Sequence, residues 1–503
     1  MLRYAQHDKK IDMYDVIIIG AGLGGLECGY ILSKNGMNVC IVERERELGG
    51  CIQSFKRGKS SFDTGFHYIG ALDDGESLHR LFTYLNLMDL PWVRLDDDFD
   101  HVILNGQEYI FRSGHKAFFE EMCNRFPHQR ENLRKYVNTL KKVGDNIFDS
   151  LNPKSHDEFF STSLFGVSAK AFINETISDP LLRDVLCGTS MKLELAEKLP
   201  LYTFAQINDS FLRGAYRLDG GGSQIADHLA SDIMSMGGTI IKGTDVTSIK
   251  INAEGLASGV ELSNGEIIEA KWFISNAHPA HTVRLIENTP YLKNIYRSRI
   301  TRLENTTGYF TANIKLKGNT IPYLNHNLFI YENADLWSYT QGVTDRTLVS
   351  YYKPNLKEGA CSGYCQSIDL LTPMVWNEVE KWKDTGVGHR GDDYVEMKNQ
   401  KADECISIAE KHIPNLREAI DHIYTSTPLS YYSYTNTENG SAYGIRKDFE
   451  SPMTTVLTPK TPIKNLLLTG QNLNLHGVLG VSMTALFTVK EILNGKIRDL
   501  VTY

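Results

Sequence analysis

The glycine-rich segment near the start of the chain constrains the fold more than any other feature. A short apolar run, Val16 to Ile19, has the β-branched content and the length of a buried parallel strand. The G-x-G-x-x-G pattern follows this run at Gly20, Gly22 and Gly25. After the glycines, apolar residues recur at helical spacing to about residue 35. The pattern predicts a strand, a tight turn and a helix in direct succession.

Each glycine of this pattern has a physical role in dinucleotide binding. The first allows the tight turn, the second lets a pyrophosphate approach the backbone, and the third lets the helix pack on the strand. The helix N-terminus offers free N–H groups and a positive dipole end to the phosphates. A second strand, predicted from Asn38 to Val42, is followed by Glu43, which can accept hydrogen bonds from a ribose hydroxyl. The sequence therefore predicts a dinucleotide site rather than a glycine-rich turn without a ligand.

A second glycine pair indicates which dinucleotide is bound. Gly49 and Gly50 follow the acid closely, and the run Phe62 to Gly65 comes soon after. Two adjacent glycines permit another close passage of the backbone past a bound cofactor. This continuation resembles FAD-binding flavoproteins rather than NAD dehydrogenases, so FAD is the predicted cofactor.

Composition narrows the range of partners and locations. A net charge of −8 argues against a nucleic-acid partner, because phosphate binding requires a basic face. The eight cysteines show no spacing typical of a zinc site, and reduced thiols in a cytoplasmic protein explain them most simply. The first residues lack the apolar core of a signal peptide, and no run of about 18 apolar residues occurs. We expect a cytoplasmic protein without a metal site or a membrane-spanning helix.

Two apolar stretches leave contact with a membrane surface open. Residues Phe159 to Ile173 and Leu85 to Trp92 are apolar enough to enter a bilayer interface. The same composition suits the wall of a substrate pocket or the core. We favour the pocket or core, and keep peripheral membrane association as the alternative.

The dinucleotide pattern is interrupted twice and resumes twice. We assign to one FAD-binding domain the three segments that carry its strands, glycines and helices, residues 1–75, 215–285 and 456–503. We assign to a substrate-binding domain the segments of different composition, residues 76–214 and 286–455, with a helical part mainly at 114–212. The predicted fold is α/β: a Rossmann-like nucleotide domain of the glutathione-reductase type, built from three separated segments, with an inserted mixed α+β domain.

Local patterns predict several elements of the inserted segments. Apolar runs on both sides of Asn105 and Gly106 predict a β-hairpin. Strands are expected near residues 306–316 and 347–352, and helices near residues 374–383 and 399–412. Strand and helix thus alternate, as a mixed α+β domain requires.

Four segments match the pattern of a known family: Val16 to Gly50, Phe62 to Gly70, Asp219 to Ala277, and Thr469 to Ala485. The chain resembles the FAD-dependent phytoene desaturase and carotenoid isomerase family, and within it most closely the retinol saturase branch. The run D-T-G-F-H-Y-I-G and the block that begins at Thr469 are the parts most typical of that branch. The resemblance implies a lipophilic polyene, retinoid or carotenoid-like substrate whose C=C bonds are saturated or desaturated.

The resemblance also implies which residues hold FAD: Gly20, Gly22, Leu23, Gly24, Gly25, Glu43, Arg44, Gly49, Gly50, Thr64, Gly65, His67, Val246 (through its backbone), Gly470, Gln471, Gly480 and Val481. One position departs from the family pattern, because desaturases usually have Gly-Asp where this chain has Gly470 and Gln471. An amide oxygen can still accept a hydrogen bond from a ribityl hydroxyl. The departure therefore leaves FAD binding intact and favours a saturase-like enzyme over a desaturase.

Saturation of a C=C bond needs a hydride, delivered from flavin N5, and a proton. His67 and Tyr68 are candidate proton donors, because the segment that holds them is expected near the flavin ring, and Tyr443 is a third. Packing or cofactor contact is the alternative role for each, and His67 is also expected to contact the cofactor. No second nucleotide pattern is present, so NAD(P)H would act only as a transient electron donor.

Two other functions suit the same sequence. A flavin-dependent polyene cis–trans isomerase would need no net electron donor or acceptor. A non-catalytic prenyl- or lipid-binding protein of the same architecture would have no use for Glu43 or for the Gly49 and Gly50 pair. An FAD-dependent oxidoreductase acting on CH–CH groups is therefore the first prediction, and the isomerase is the second.

Overall fold

The computed structural model describes residues 13–58, 60–148, 151, 163–332, 335–353 and 363–493. Its strands are β1 Tyr14–Ile19, β2 Val39–Glu43, β3 Ser54–Arg57, β4 Ser60–Asp63, β5 Trp92–Arg94, β6 Asp98–Leu104, β7 Gln107–Arg112, β8 Tyr216–Leu218, β9 Thr239–Lys242, β10 Val246–Ile251, β11 Ala257–Leu262, β12 Ile267–Ser275, β13 Gly308–Leu316, β14 Asn327–Tyr331, β15 Arg346–Tyr352, β16 Ser367–Met374, β17 Ile420–Ser426 and β18 Leu466–Leu468.

The α-helices of the same residues are α1 Leu23–Lys34, α2 Ser77–Tyr84, α3 His115–Arg125, α4 Arg130–Asp145, α5 Ala169–Thr176, α6 Pro180–Cys187, α7 Leu201–Leu212, α8 Ser223–Ser235, α9 Pro279–Leu285, α10 Asn294–Thr301, α11 Asp392–Ala409, α12 Leu416–Ala419, α13 Pro428–Thr435, α14 Pro452–Thr455 and α15 Gly477–Leu493.

The first sheet is assembled from three separated parts of the chain, as the sequence predicts. Its order is β10-β11-β12-β1-β2-β9, and β18 also pairs with β12. The strands β9, β2, β1, β12 and β18 run parallel, whereas β10 and β11 form an antiparallel meander that leads into β12. The central strand β1 is apolar from Val16 to Ile19, where α1 and α15 cover one face of the sheet and a second apolar cluster covers the other.

The second sheet belongs to the inserted segments and has the order β17-β13-β16-β15-β14-β6-β7. Neighbouring strands are antiparallel, except for the parallel pair of β14 and β6. One face packs against helices α3 to α7, and the other face packs against α11. Side chains alternate between the faces, so Asn313, Tyr352 and Asp369 share the face of Leu371, opposite Tyr351 and Leu370.

Several predicted elements agree with the structure, and one is wrong. The hairpin around Asn105 and Gly106 is confirmed as β6 and β7. Residues 374–383 do not form the predicted helix: β16 ends at Met374, and two single 3₁₀ turns follow, Trp376–Glu378 and Glu380–Trp382. The strands β14, β16 and β17 were not predicted either. Since β14 and nearly all of β16 are buried, their apolar runs carry neither the alternation of an exposed strand nor a helical period.

The two apolar stretches considered for membrane contact contribute side chains to the interior. Leu85 and Leu87 lie in the core beside the first sheet, and Leu164 and Ile173 lie in the core beneath the second. The start of the second stretch, from Phe159 to residue 162, lies outside the described residues. Over the described chain, no helix combines the length and the apolar character needed to cross a bilayer.

Candidate active site

A cavity of about 360 Å³ lies where the parallel strands of the first sheet end, and we call it the first cavity. Gly20 and Asn276, which directly follow β1 and β12, reach it, together with Gly470, the second residue after β18, and Glu43 at the end of β2. Its opposite wall is the second sheet, with Tyr309, Leu348 and Leu371. Ligands of open α/β sheets bind outside the carboxyl ends of the strands, so the position of this cavity is that of a ligand site.

The absence of side chains shapes the nucleotide side of this cavity. A methyl group on Gly22 would lie 2.7 Å from Asn276 Nδ2, and one on Gly24 would lie 2.9 Å from Asn276 Oδ1. Gly470 has a φ of +93°, and a methyl group there would lie 2.6 Å from the same oxygen. Only glycine fits at these positions without displacing Asn276 or straining the backbone. The result is a cradle of exposed backbone around one amide side chain.

Glu43 stands at the rim of the cradle with its carboxylate fixed by backbone groups. Oε2 accepts a hydrogen bond of 2.7 Å from the amide of Ala21, and Oε1 accepts one of 2.8 Å from the amide of Glu45. Burial raises the pKa of Glu43, and these two amides oppose the shift. A carboxylate held in this way keeps lone pairs available for the hydroxyl groups of a ribose.

Two helices direct their N-termini at the first cavity. Helix α1 begins directly after Gly22, and α15 begins at Gly477, so that Gly480 and Val481 line the cavity in its first turn. The first four amides of a helix have no partner within it. They therefore offer donors and a positive dipole end to phosphates and to electron-rich ring atoms.

Most of the cofactor residues implied by the resemblance line the first cavity: Gly20, Gly22, Leu23, Gly24, Glu43, Arg44, Gly49, Gly50, Gly65, His67, Gly470, Gln471, Gly480 and Val481. Gly25, Thr64 and Val246 are not among the lining residues. Gly25 packs against the carbonyl of Gly20, Thr64 donates to the carbonyls of Cys51 and Gln53, and Val246 has a buried side chain. The cofactor-binding roles of all these residues, those that line the cavity included, stay predictions.

His67 is held by two residues of the second sheet. Its Nδ1 lies 2.9 Å from the hydroxyl of Tyr352 and 3.7 Å from Asp369 Oδ2. Its Nε2 is buried and has no hydrogen-bond partner among the described residues. Burial, with a smaller effect of Arg217, lowers the pKa of His67 to about 4. The imidazole is therefore neutral near pH 7 and carries one N–H proton.

Tyr68 lines the same cavity, but its hydroxyl is committed to a buried ion pair. The hydroxyl donates to Asp100 Oδ2 at 2.8 Å, and Asp100 also accepts from Asn327 at 2.8 Å and from Lys192 at 3.3 Å. Burial raises the pKa of Tyr68 well above its ordinary value, and the adjacent Asp100 raises it further. Tyr68 therefore orients Asp100 rather than offering a mobile proton to the cavity.

Tyr443 is committed in a similar way. Its hydroxyl donates to the carbonyl of Met191 at 2.7 Å, and its ring stacks on His476 with 4.2 Å between ring centres. Burial lowers the pKa of His476 to about 3, so the imidazole of His476 is also neutral. Of the three candidate donors, His67 has the ring nitrogen that no other group engages.

A second, larger cavity of about 1530 Å³ lies on the other side of the wall that His67 and Tyr352 form. Tyr352 lines it, together with the exposed residues Arg46, Lys56, Arg57 and Lys353, so it is open to solvent. His67 lines only the first cavity, and its partner Tyr352 lines only the second. The pair therefore spans the partition between the two spaces.

The residues present fit FAD. The cradle leaves room for a pyrophosphate against backbone, Glu43 suits an adenosine ribose, and the start of α15 suits an isoalloxazine ring. The buried and unpartnered Nε2 of His67 is a polar atom in the wall of the same cavity, for which a bound group could be the partner. The described residues contain no group of His, Cys, Asp and Glu arranged to hold a metal ion.

The combination of a cradle on one sheet and a facing inserted sheet defines the fold of FAD-dependent oxidoreductases. An oxidoreductase from Methanosarcina mazei has this fold, with a TM-score of 0.64 and 18% identity over 95% of this chain and 100% of its own. A putrescine oxidase has it as well, with a TM-score of 0.64 and 14% identity over 96% and 99%. Residues 18–85 match the family model of the NAD(P)-binding Rossmann-like domain. The predicted fold class is confirmed.

Relatives whose sequences match most of this chain indicate a narrower class of protein than the solved structures do. An all-trans-retinol 13,14-reductase of Danio rerio is 26% identical over an alignment that covers 95% of this chain and 86% of the relative. A chloroplastic prolycopene isomerase 1 of an Oncidium hybrid cultivar is 24% identical, over 87% of this chain and 76% of the relative. The resemblance to the desaturase and isomerase family, and to its retinol saturase branch, is confirmed.

Several residues of the site were absent from the sequence prediction. Asn276 is the first residue after a strand parallel to β1, and this position alone could have identified it. Asp100, Lys192, Tyr352 and Asp369 carry no comparable signal. Tertiary pairing alone brings Lys192 to the cavity and places the other three behind its wall, in contact with His67 or Tyr68.

Proposed function

We propose that this chain is an FAD-dependent oxidoreductase that saturates or desaturates C=C bonds of a lipophilic polyene, retinoid or carotenoid-like substrate. One observation carries the proposal: a single cavity joins a dinucleotide cradle to a largely apolar wall that contains a neutral, unpartnered imidazole. The names of the relatives, a retinol reductase and a prolycopene isomerase, support a conjugated lipid as substrate.

The flavin, when bound, supplies hydride chemistry at its N5 atom. The glycine cradle and Glu43 bind and orient the cofactor. The inserted sheet and helix α7 exclude water with the apolar and aromatic residues that line the cavity, Met191, Ile207, Phe211, Tyr309, Leu348, Leu371 and Leu475. His67 holds a proton at a ring nitrogen beside the substrate space. These residues provide the binding, orientation and dry surroundings that such a reaction requires.

A cis–trans isomerase is the second candidate, and the similarity to a prolycopene isomerase favours it specifically. The same cavity would serve, since both reactions begin with a polyene lying against the cofactor. The two functions differ in their electron balance: a reductase consumes two electrons for each product, whereas an isomerase consumes none.

The test is an absorbance spectrum of the purified protein, followed by anaerobic titration with NADPH and with dithionite. We expect the bands of an oxidised flavin, bleached by reduction and restored when a polyene such as all-trans-retinol is added. Flavin that stays reduced while the polyene changes geometry would support the isomerase. A colourless protein that cannot be reconstituted with FAD would refute both enzymatic functions and support a lipid carrier. Bleaching by NADPH would support it as the electron donor.

A further inference from the structure

Three polar side chains from distant parts of the chain meet in the partition between the two cavities. His67 follows β4, Tyr352 ends β15, and Asp369 lies in the middle of β16. Asp369 is 1% exposed, and its Oδ1 accepts a hydrogen bond of 2.7 Å from Asn313 on β13. Its Oδ2 has no well-formed hydrogen bond among the described residues and faces His67 Nδ1 at 3.7 Å. A buried carboxyl oxygen without a partner is costly unless it carries a proton or serves a function.

The charges around the cluster favour a neutral chain of hydrogen bonds. Burial raises the pKa of Asp369 to about 7 and the pKa of Asp63 to about 6, so both carboxyls hold protons more readily than usual. The guanidinium of Arg217 lies over the ring of Tyr352, 5.6 Å from its centre, and disfavours a positive charge on His67. Arg217 itself is held by the carbonyls of Tyr351 and His326 and by Asn327.

A single direction of hydrogen-bond donation, from Asp369 through Tyr352 to His67, is compatible with all three side chains. A protonated Asp369 can donate toward the Tyr352 hydroxyl, which is close enough for each to shift the pKa of the other. Tyr352 then donates to His67 Nδ1, which leaves the remaining proton of the imidazole on Nε2. That nitrogen is the one without a partner among the described residues.

We propose that Tyr352 and Asp369 form a proton relay that connects His67, in the wall of the first cavity, with the solvent of the second cavity. This inference rests on the proposed reduction of a C=C bond. It assigns a function to the second cavity, which Tyr352 lines together with solvent-exposed residues.

The proton and electron balance of the step is as follows. The C=C bond receives a hydride from a two-electron hydride donor, the reduced flavin, and a C–H bond forms at one carbon. The π electron pair moves to the other carbon and takes the Nε2 proton of His67, while Nδ1 takes the hydroxyl proton of Tyr352. Tyr352 regains a proton from Asp369 or from water in the second cavity. The substrate gains two hydrogen atoms, that is, two protons and two electrons, and one of the protons is drawn from solvent. His67 is left with its proton on Nδ1. It returns to the Nε2–H form when Nε2 takes a proton from water admitted on product release and Nδ1 passes its proton back to Tyr352, which releases one to the second cavity.

Nuclear magnetic resonance of the intact protein with ¹⁵N-labelled histidine rings tests the relay without turnover. Spectra of the cofactor-free and FAD-loaded protein report which nitrogen of His67 carries the proton, and a His67→Asn variant identifies the signal. We expect the Nε2–H form in the wild type. Tyr352→Phe removes the donor to Nδ1 and should shift the population toward the Nδ1–H form, whose nearest acceptor is Asp369. A wild-type His67 protonated at Nδ1, or an unchanged tautomer in Tyr352→Phe, would overturn the proposal.

Tyr351→Phe is the matched control, because its hydroxyl is also buried but has no hydrogen-bond partner among the described residues and lies on the opposite face of the sheet. It should leave the His67 signal unchanged. In turnover with a polyene, Tyr352→Phe and Asp369→Asn should lower kcat at least about tenfold with little change in KM, as expected for lost proton transfer. Tyr351→Phe should stay within about twofold.

The outcomes separate the relay from the proposed function. A wild type that reduces no C=C bond would remove the proposed function, while the tautomer measurement would still decide whether the hydrogen-bonded chain exists. A reductase in which Tyr352→Phe and Tyr351→Phe have equal kcat would keep the function and refute the relay.

Discussion

The two sides of the first cavity are built on opposite principles. The nucleotide side consists mainly of backbone: three glycines lie close to Asn276, two helices begin there, and Glu43 is held by main-chain amides. The substrate side consists of side chains, with His67 on Tyr352 and Asp369, and Tyr68 on Asp100. A cofactor common to many proteins is recognised through groups that every residue has, whereas a particular reaction needs particular side chains.

This difference predicts different sensitivities. On the substrate side the polar groups are buried and paired, so the loss of one partner leaves an uncompensated group in an apolar surrounding. On the nucleotide side the groups are already as small as possible, so damage comes from added atoms. Substitutions that remove side-chain atoms should therefore be most harmful on the substrate side, and substitutions that add atoms should be most harmful on the nucleotide side.

The largest effect is expected from Asp100→Ala on the substrate side. Asp100 is fully buried and pairs with Lys192, whose side chain is 5% exposed. Breaking a buried ion pair by removing one partner costs about 3–5 kcal/mol, because the other charge stays buried. Denaturant unfolding should show this loss in the free energy of unfolding.

The double variant Asp100→Ala with Lys192→Met is the control for this effect. It removes both charges and keeps an apolar side chain of similar length beside Phe211, over which the ammonium group now lies at 4.2 Å. We expect it to recover at least half of the lost free energy. A single variant that costs less than about 1 kcal/mol would show that the substrate side does not depend on paired charges.

Glu27, a buried acid on the nucleotide side, allows the two sides to be compared through the pH dependence of stability. Glu27 in α1 accepts a hydrogen bond of 2.6 Å from Ser482 in α15, and it has no cationic partner among the described residues. Burial raises the pKa of Glu27 to about 8. Because the folded state binds this proton more tightly than the unfolded state, its contribution to stability is complete below pH 4.5 and is lost as the pH rises to about 8.

Glu27→Gln should remove this pH dependence. Each unit of pKa shift corresponds to about 1.4 kcal/mol, so the free energy of unfolding of the wild type should fall by about 3 kcal/mol relative to the variant between pH 5 and pH 8. Parallel unfolding series across that range measure the difference. If the free energies of unfolding of the wild type and the variant changed with pH in parallel, Glu27 would have the pKa that it has in water. Burial between the two helices would then not disfavour its charge.

The same contrast explains what the sequence could predict. One part of the nucleotide side is local: Gly20, Gly22, Gly25, α1 and Glu43 lie within about thirty residues, and the spacing of residue types alone indicates their function. The fold class and the three-part nucleotide sheet could therefore be predicted, and most of the predicted cofactor residues line the cavity. Gly470 and Gln471 are distant, but they could be placed because the pattern after β18 resembles that of a known family.

The substrate side could not be predicted in this way. His67 and Tyr352 are 285 positions apart, and Lys192 and Asp100 are 92 positions apart. Nothing in the local spacing of these residues indicates a contact, because the pairing of strands β6, β13, β14, β15 and β16 brings them together. The strand that carries Asp369 was itself missed. His67 was predicted as a site residue from its neighbours in the chain, but its partners emerge only from the sheet.

The smallest predicted change in stability comes from a single methyl group on the nucleotide side. In Gly25→Ala the new Cβ would lie 2.1 Å from the carbonyl oxygen of Gly20, so α1 must move away from β1. Overpacking of this kind costs about 1–3 kcal/mol, and the same movement should widen the cradle and weaken FAD binding at least about tenfold, since about 1.4 kcal/mol of lost contact suffices. Gly318→Ala is the matched control, because no heavy atom lies within 4 Å of its Cβ and its φ is not positive. The measurements are the flavin content after dialysis and the unfolding curves of both variants. If Gly25→Ala retained FAD as well as Gly318→Ala does, close approach of the backbone would not be what recognises the cofactor. The nucleotide side would then depend on side chains, as the substrate side does.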